Sequence, residues 1–251
     1  MNCFSHKFFT TLCFGQDIDL IDSCILPDED EAQNGFSCHF YNPVTGKCYL
    51  GTEDSAKNRF IWHLVDYLIS KNKEKLGRAI HYLEDMCTPV HTQYEDAADA
   101  IIRLKMHIEF EKKLDHFLES GGCQSPSLKF HSVSEILSCC PCDSSSIYFQ
   151  VKKGNYGERE LGDVYSLVVS ALSSLKEILD ESKNEIKILG KTFLVDGKRV
   201  NVLFENDSSK GVMLPASLNP EYALRFNGVD NIVVYKKNTK FSNFHVIGNI
   251  F

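Results

Sequence analysis

Apolar residues recur at helical spacing along most of this 251-residue chain. In the segment 56–72, Phe60, Leu64 and Leu68 fall on one face of a helix, and the segment 73–87 repeats the periodicity. A period near 3.6 residues predicts amphipathic helices, each of which must bury its apolar face against another element. The chain is therefore predicted to fold mainly as a bundle of α-helices.

Two longer amphipathic segments follow along the chain. Residues 96–120 form the first, and it ends at Gly121 and Gly122, which are helix stop signals. Residues 158–184 form the second, which is apolar enough to be the central helix of the bundle. The segment 121–157 between them is rich in Gly, Ser, Pro and Cys, and it predicts a loop with short helical pieces.

The pattern changes after residue 186, where apolar and polar residues begin to alternate. Alternation predicts strands, and Asp196 followed by Gly197 is a hairpin-turn signal. The segments 231–238 and 244–251 are further strand candidates.

This change predicts two parts, a helical domain at 1–185 and a small β-rich unit at 186–251 to which the sequence assigns no role. A unit of about 65 residues is only marginally stable alone. We therefore expect it to pack on the helices.

Charge and hydropathy restrict the class of protein. The net charge is −7, and 43% of the residues are hydrophobic and 24% charged. This composition is globular, and the negative charge disfavours nonspecific binding to nucleic acid. No run of about 18 apolar residues is present, so no transmembrane helix is predicted. The first residues lack the pattern of a signal peptide, which leaves a cytoplasmic protein or a mature secreted form.

The ten cysteines are irregularly spaced. A chain of this length does not need disulfides to form a core, so most are predicted to be reduced thiols. The sequence CCPC at 139–142 has metal-like spacing but no matching second cluster, and a solvent-exposed loop is the preferred interpretation.

Histidines and carboxylates cluster on two neighbouring predicted helices. His81, Asp85 and His91 have the spacing H-x3-D-x5-H, and His107 and Glu111 form an H-x3-E pair. Residues i and i+4 share a helix face, so each pair projects to one side. Imidazole nitrogens and carboxylate oxygens are ligands that zinc accepts. One such pair is usually a surface or capping interaction, whereas two pairs with a further histidine leave a metal site and a structural role both open.

Further candidates lie nearer the start of the chain. His39 stands in GFSCHFYNPVTGKCY, His6 stands in SHKFF, and the acidic run LPDED offers Asp28 and Asp30. An acidic run of this kind would by itself be a solvated loop. The remaining histidines are interpreted as packed or surface residues, and they are His63, His116, His131 and His245.

Together these segments resemble the bacterial zinc-dependent phospholipase C family, which includes the Bacillus phosphatidylcholine-hydrolysing enzymes and the catalytic domain of clostridial alpha-toxin. HFYNPVTGK at 39–47 and HYLEDMCTPVH at 81–91 match the family's motifs in the right order. The resemblance covers about residues 5–120, extends more loosely to the helix at 158–184, and does not reach the tail. It implies a helical bundle of the phospholipase C/P1 nuclease type with two or three zinc ions in a cleft.

The resemblance also implies three zinc sites built from eight residues of this chain. They are His39, His81, Asp85 and Asp28 for one ion, His91, His107 and Glu111 for a second, and His6 with a bridging Asp85 for a third, completed by water or by Met1. Asp28 would be a ligand or the general base. Asp30 competes with Asp28 for this acidic role, and the run-in LPD favours Asp28.

The implied function is a zinc-dependent phosphodiesterase that hydrolyses the glycerol–phosphate bond of phospholipids with a metal-activated water. The expected partners are a phospholipid substrate and, transiently, a membrane surface, with no nucleic acid. One alternative is a zinc nuclease of the S1/P1 type, a group that is similar more distantly and typically closes the motif with H-x3-D. The other alternative is a non-catalytic helical module with structural zinc.

Two positions bear on the lipid headgroup. Phe36 stands three residues before His39, where the family places an aromatic residue against choline. A quaternary ammonium gains about 0.5–2 kcal/mol over such a ring. The family's second aromatic residue falls at Glu29, whose carboxylate would attract a cationic headgroup. A core position is the alternative for Phe36, and Lys47 is the single basic residue in 26–49, which is too few for a polynucleotide backbone.

Overall fold

The computed structural model describes residues 1–31, 36–51, 54–92 and 100–181, and beyond them the backbone of strand segments between 185 and 250. The helices of the described part are α1 (Cys3–Phe14), α2 (Ile18–Ser23), α3 (Leu26–Asp30), α4 (Ala56–Ser70), α5 (Lys73–Met86), α6 (Ala100–Glu119), α7 (Val133–Lys152) and α8 (Glu158–Glu181). Short 3-10 turns lie at Ser37–His39 and Pro89–His91. The predicted mainly helical bundle is confirmed.

Helix α8 is the centre of the bundle, as its apolar pattern predicts. It packs against α1, α5, α6 and α7. Val164, Val168, Leu172 and Leu175 are fully buried along its length. Burying a side chain of this kind contributes about 1.5–3 kcal/mol, so α8 supplies much of the free energy that holds the helices together.

Helix α5 packs between α4 and α2 and differs from α8 in what it buries. It begins at the N-cap Asn72, whose side chain accepts a hydrogen bond from the Glu74 amide at 3.0 Å. From Leu76 onwards every residue of the helix is buried, and the buried set includes polar residues as well as apolar ones. Buried polar groups in a helix need specific partners, and they mark α5 as the helix that builds the site.

The prediction of a loop at 121–157 is wrong, because α7 occupies its second half. Ser132 caps this helix by accepting a hydrogen bond from the Glu135 amide at 3.1 Å, while Glu135 accepts one from the His131 amide at 2.7 Å. Ser and Glu three positions apart form a capping signal that outweighs the loop-like composition. A buried stripe at helical spacing then packs α7 on the bundle, and it includes Ile136, Cys140, Ser144, Tyr148 and Val151.

The interpretation of CCPC at 139–142 as an exposed loop is wrong for the same reason. These residues lie inside α7, where Cys140 and Pro141 are buried and Cys142 is exposed. All ten cysteines of the chain are free thiols, in agreement with the prediction for most of them. Within the described residues, no helix combines the length and the apolar character needed to cross a membrane.

The strand segments form two antiparallel sheets, with strand orders β1-β2-β3-β4 and β5-β6-β7. The strands are β1 (Glu185–Ile188), β2 (Lys191–Val195), β3 (Arg199–Phe204), β4 (Asp207–Pro215), β5 (Tyr222–Asn227), β6 (Asn231–Asn238) and β7 (Asn243–Ile250). Val195 pairs with Val200, so β2 and β3 flank the predicted Asp196-Gly197 turn, which lies outside the described residues. The predicted strands at 231–238 and 244–251 fall on β6 and β7. The domain boundary at 185/186 and the packing of the β unit on the helices stay predictions.

Helices α5 and α2 approach each other closely at Gly77, and we expect Gly77→Ala to lower stability. The new Cβ would overlap the Ser23 side chain and lie 3.0 Å from the Ser23 carbonyl carbon. Overpacking costs about 1–3 kcal/mol, which exceeds the roughly 1 kcal/mol that Ala gains over Gly in a helix. Denaturant unfolding should therefore show a net loss of up to about 2 kcal/mol.

The control is Gly162→Ala in α8, where the new Cβ would meet only the flexible end of the Gln124 side chain. This variant should match or exceed the stability of the parent chain. Equal stability of the two variants would contradict the close approach of α5 and α2.

Candidate metal centre

The described residues bring the eight predicted ligand side chains together beside one pocket of about 350 Å³. They are His6 from α1, Asp28 from α3, His39 and His91 from the two 3-10 turns, His81 and Asp85 from α5, and His107 and Glu111 from α6. Five of them line the pocket: Asp28, His39, His91, His107 and Glu111. His6, His81 and Asp85 lie behind the lining and have no solvent-exposed surface.

The first group of ligand atoms belongs to His39, His81 and Asp85, and they all lie within 4.8 Å of one another. His39 Nδ1 lies 2.9 Å from His81 Nε2 and 3.0 Å from Asp85 Oδ2. Asp28 Oδ1 lies 3.7 Å from each of the two ring nitrogens. This is the set that the resemblance implies for one ion, and its ligand atoms face a common point.

The second group belongs to His91, His107 and Glu111. Glu111 Oε1 lies 2.8 Å from His107 Nε2 and 3.4 Å from His91 Nε2. The Met1 amino group lies 3.2 Å from the same carboxylate oxygen and 3.1 Å from His91 Nε2. A nitrogen of the chain start thus reaches the ligand cluster.

His6 adds a third group. Its ring nitrogen, Asp28 and His81 offer ligand atoms within 4.8 Å of one another. His6 Nε2 also lies 3.6 Å from Asp85 Oδ1, the partner that the resemblance implies. The His6 ring stacks on the His81 ring with centroids 4.0 Å apart, so α1 and α5 are in direct contact at the cluster.

Asp85 lies between the groups and turns one oxygen to each side. Its Oδ2 faces the first group, at 3.0 Å from His39 Nδ1 and 3.3 Å from His81 Nε2. Its Oδ1 faces the other side, where it accepts a hydrogen bond from the Met1 amino group at 2.9 Å. A carboxylate placed in this way can contribute an oxygen to two ions at once.

Backbone carbonyls orient two of the histidines. His81 Nδ1 lies 2.7 Å from the Cys24 carbonyl oxygen, and His91 Nδ1 lies 3.0 Å from the His39 carbonyl oxygen. A carbonyl only accepts, so in both rings Nδ1 carries the proton and donates it. The Nε2 lone pairs are then free to point at the cluster, which is the arrangement that metal-binding histidines require.

Glu84 is a residue of the cluster that the sequence analysis missed. It is fully buried, contacts His6 Nδ1 and accepts a hydrogen bond from Thr10 Oγ1 at 3.3 Å. Burial, and then the charge of Asp85, raise its pKa well above the usual range. A carboxyl group behind a ligand histidine fixes the orientation of the ring. Glu84 directly precedes Asp85, but nothing in the local pattern separates it from an ordinary surface Glu.

The electrostatic environment favours neutral imidazoles at His6 and His91 beside ionised carboxylates at Asp85 and Glu111. Burial lowers the pKa of His91 to about 4 and lowers that of His6 well below its usual range. Burial alone would raise the pKa of Asp85, but His91, the Met1 amino group, His81 and a hydrogen bond from His39 together outweigh burial and hold it well below the usual range. The same balance lowers the pKa of Glu111, while the carboxylates raise the pKa of the Met1 amino group to about 11 against the effect of burial.

These residues fit a bound zinc ion. Metal binding requires neutral histidines and deprotonated carboxylates, which is the state favoured at His6, His91, Asp85 and Glu111. The buried Nε2 atom of His6, which faces Asp85, has no hydrogen-bond partner among the described residues. An unsatisfied buried polar atom costs about 1–3 kcal/mol, and a cation at the cluster would remove that cost.

Asp28 and Asp30, the two candidates for the acidic role, point in different directions. Asp28 faces the cluster with 34% of its side chain exposed. Asp30 points away and pairs with Arg78 at 2.6 Å. Glu29 is exposed on α3 and is not among the residues lining the pocket, so its role at the headgroup stays a prediction.

Phe36 lines the pocket next to the first group. Its ring lies 5.4 Å from the His39 ring, and 43% of the residue is exposed, which excludes the core position. Its backbone is left-handed, with φ at 63°. Of the other histidines, His63 is buried and pairs with Glu31, and His116 and His131 are exposed. The side chain of His245 lies outside the description.

No family model matches this sequence, and no curated protein matches it. Among solved structures, the fold is similar to that of the alpha toxin from Clostridium absonum, with a TM-score of 0.50 and 12% sequence identity, covering 95% of this chain and 81% of the toxin chain. At this identity the likeness shows the fold alone. The expectation that the motif resemblance does not reach the tail stays a prediction.

The position of Asp85 between the groups predicts that Asp85→Asn weakens metal binding at more than one position. Loss of a residue that only orients a ligand weakens metal binding about 10–100-fold, so loss of a shared ligand should exceed this. Elemental analysis after dialysis should find at least one zinc ion fewer per chain than in the parent protein, and activity should fall more than about a hundredfold.

Asp143→Asn is the matched control, because Asp143 is exposed on α7. It should keep the zinc content and turnover of the parent protein. If Asp85→Asn behaves like this control, the contact between His81 and Asp85 has a structural role only.

Proposed function

We propose that this chain is a zinc-dependent phosphodiesterase of the phospholipase C type, which hydrolyses the glycerol–phosphate bond of phospholipids. One observation carries the proposal: Asp85 lies between two groups of ligand side chains, and the second of these groups lines an open pocket with an apolar wall. The motif resemblance and the fold likeness to a clostridial alpha toxin support it.

The chain would hold two or three zinc ions. The first group would bind one ion and the second group another, and His6 would contribute to a third with Asp85 or with Asp28 and His81. Bound zinc would neutralise the phosphodiester charge and supply an activated water as the nucleophile. Because the second group lines the pocket, these residues differ from the closed ligand sets typical of structural zinc.

Asp28 is the residue best placed to act as general base. Its carboxylate lines the pocket and stays about one third exposed, so it can accept a proton from an attacking water and return it to solvent. Its position 3.7 Å from the ring nitrogens of His39 and His81 keeps a ligand role equally within reach. No Ser or Cys nucleophile is required, and no covalent intermediate is expected.

The lining of the pocket favours a lipid over a polynucleotide. Three large apolar side chains on it are exposed: Phe36 by 43%, Leu104 by 60% and Ile108 by 43%. None of the described residues that line it is Lys or Arg. A nucleic-acid backbone needs such cations, whereas acyl chains would cover an apolar wall.

The headgroup would lie against Phe36. The exposed ring face can hold a quaternary ammonium group at a gain of about 0.5–2 kcal/mol. Choline is therefore the headgroup that we propose first, with Glu29 as a second, electrostatic contact.

The test compares p-nitrophenylphosphorylcholine and phosphatidylcholine with single-stranded DNA and RNA. We expect turnover of both choline esters and a loss of about 2–30-fold in Phe36→Ala, in line with one cation–π contact. Efficient cleavage of nucleic acid without phosphocholine release would assign the chain to the S1/P1-type nucleases. Zinc binding without hydrolysis of any of these substrates would leave a structural metal module.

The apolar wall gives a second prediction for substrate choice. Leu104→Ala combined with Ile108→Ala should lower kcat/KM on phosphatidylcholine vesicles about tenfold, because each methylene shielded from water contributes about 0.8 kcal/mol. The same variant should hydrolyse p-nitrophenylphosphorylcholine within about twofold of the parent rate, since that ester has no acyl chain to lose contact.

The control variant is Leu128→Ala, which removes a leucine that is 43% exposed and not part of the pocket lining. Its rates on both substrates should be unchanged. An equal loss on both substrates in the double variant would mean that Leu104 and Ile108 support the site and do not contact the lipid.

A further inference from the structure

Helix α3, which carries Asp28, is too short to hold its own position. It has five residues, and its N-cap Ile25 makes no side-chain capping bond. Isolated helices of this length are unstable, because few hydrogen bonds compensate for ordering the backbone. The position of Asp28 therefore depends on contacts that α3 makes with other elements.

Arg78 of α5 makes the most specific of these contacts. Its Nη1 and Nη2 donate to the two carboxylate oxygens of Asp30 at 2.7 and 2.6 Å, and Nη1 also donates to Glu31 Oε1 at 2.6 Å. A planar guanidinium that meets a carboxylate with two parallel bonds fixes both distance and direction. The last residue of α3 and the residue after it are thus tied to α5.

Glu31 extends the attachment into the interior. Only 12% of its side chain is exposed, and it contacts Arg59 at 2.9 Å and His63 at 3.1 Å. Tyr82 donates to it at 2.9 Å, and the Tyr82 ring lies 5.1 Å from the His39 ring. Glu31 therefore links α3 to the same part of the molecule that holds the first ligand group.

One face of α5 carries both the arginine that holds α3 and two ligand residues of the first group. Arg78, His81, Tyr82 and Asp85 are spaced as i, i+3, i+4 and i+7, which places them along one side of the helix. The distance from the guanidinium to the ligands is thus set by the rigid helix. Asp28, attached through α3, comes to lie 3.7 Å from His81 Nε2.

We propose that Arg78 is a positioning residue that holds Asp28 over the first ligand group, acting through Asp30 and Glu31. This inference rests on the proposed function, because it gives Asp28 its role at the metal. It assigns a purpose to the acidic run at 28–31 beyond solvation: one carboxylate acts at the site, and two others hold it there.

The chain offers a matched pair of variants for the test. Asp30 and Glu74 both accept hydrogen bonds from Arg78, and their side chains are 52% and 43% exposed. Asp30 belongs to α3, whereas Glu74 belongs to α5 itself and has no link to Asp28. Asp30→Asn should therefore disturb Asp28, and Glu74→Gln should not, although each removes one negative charge that pairs with the Arg78 guanidinium.

Zinc affinity is measured by competition with a chromogenic chelator, and kcat and KM are measured on p-nitrophenylphosphorylcholine. Asp30→Asn should weaken zinc binding at the first ligand group about tenfold. It should also lower kcat about tenfold and leave KM within about twofold of the parent value. Glu74→Gln should stay within twofold in each quantity. Arg78→Lys, which keeps the charge but loses the two-pronged contact, should follow Asp30→Asn and provides the test if Asp30→Asn does not fold.

Equal effects of Asp30→Asn and Glu74→Gln on zinc affinity would overturn the inference, and so would no effect of either. A lower melting temperature of Asp30→Asn without a change in zinc affinity would show a structural role alone and would also overturn the inference. If the parent protein binds zinc but hydrolyses no phosphodiester, the proposed function fails while the zinc comparison still decides the role of Arg78. Absence of zinc binding in the parent protein overturns both.

Discussion

The burial of Asp85 is the constraint on which the rest of the site depends. A carboxylate with no solvent-exposed surface is costly unless positive groups or a metal compensate its charge. Histidines from α1, from both 3-10 turns and from α5 itself converge on it, together with the Met1 amino group. The elements that carry ligands are therefore held at short range around one side chain, and the pocket forms where they meet.

Different helices stabilise the fold and carry the proposed ligands. Helix α8 buries an almost continuous apolar face, and its packing compensates for the polar residues that α5 buries at the site. On α5, the same regular spacing that places His81 beside Asp85 also places Arg78 beside the segment that carries Asp28. A rigid helix can thus fix the distances among the proposed ligands and the proposed general base, since His81, Asp85 and Arg78 all lie on α5.

Local patterns were sufficient to predict much of this arrangement. The helices α4, α5 and α8 follow from apolar periodicity, and the H-x3-D and H-x3-E pairs follow from the rule that i and i+4 share a face. Helix α7 was missed because its composition is typical of a loop, while the information that decides the structure lies in the Ser132 cap and a buried stripe.

Other features depend on contacts distant in sequence, which single-sequence patterns do not contain. Glu84 and Glu31 look like surface residues until the fold buries them beside His6 and Arg78. The choice between Asp28 and Asp30 depends on which way α3 faces, and this is decided by Arg78, nearly fifty residues further along the chain. In each case the physical cause is a polar group that needs a specific partner once the fold buries it.

Zinc content measured together with turnover tests the central claim most directly. The protein is purified without chelator, its zinc is counted by elemental analysis, and hydrolysis of p-nitrophenylphosphorylcholine is followed before and after a strong chelator. The account predicts at least two zinc ions per chain, loss of hydrolysis on chelation and recovery when zinc is returned. Fewer than one zinc ion per chain, with turnover unaffected by the chelator, would contradict it.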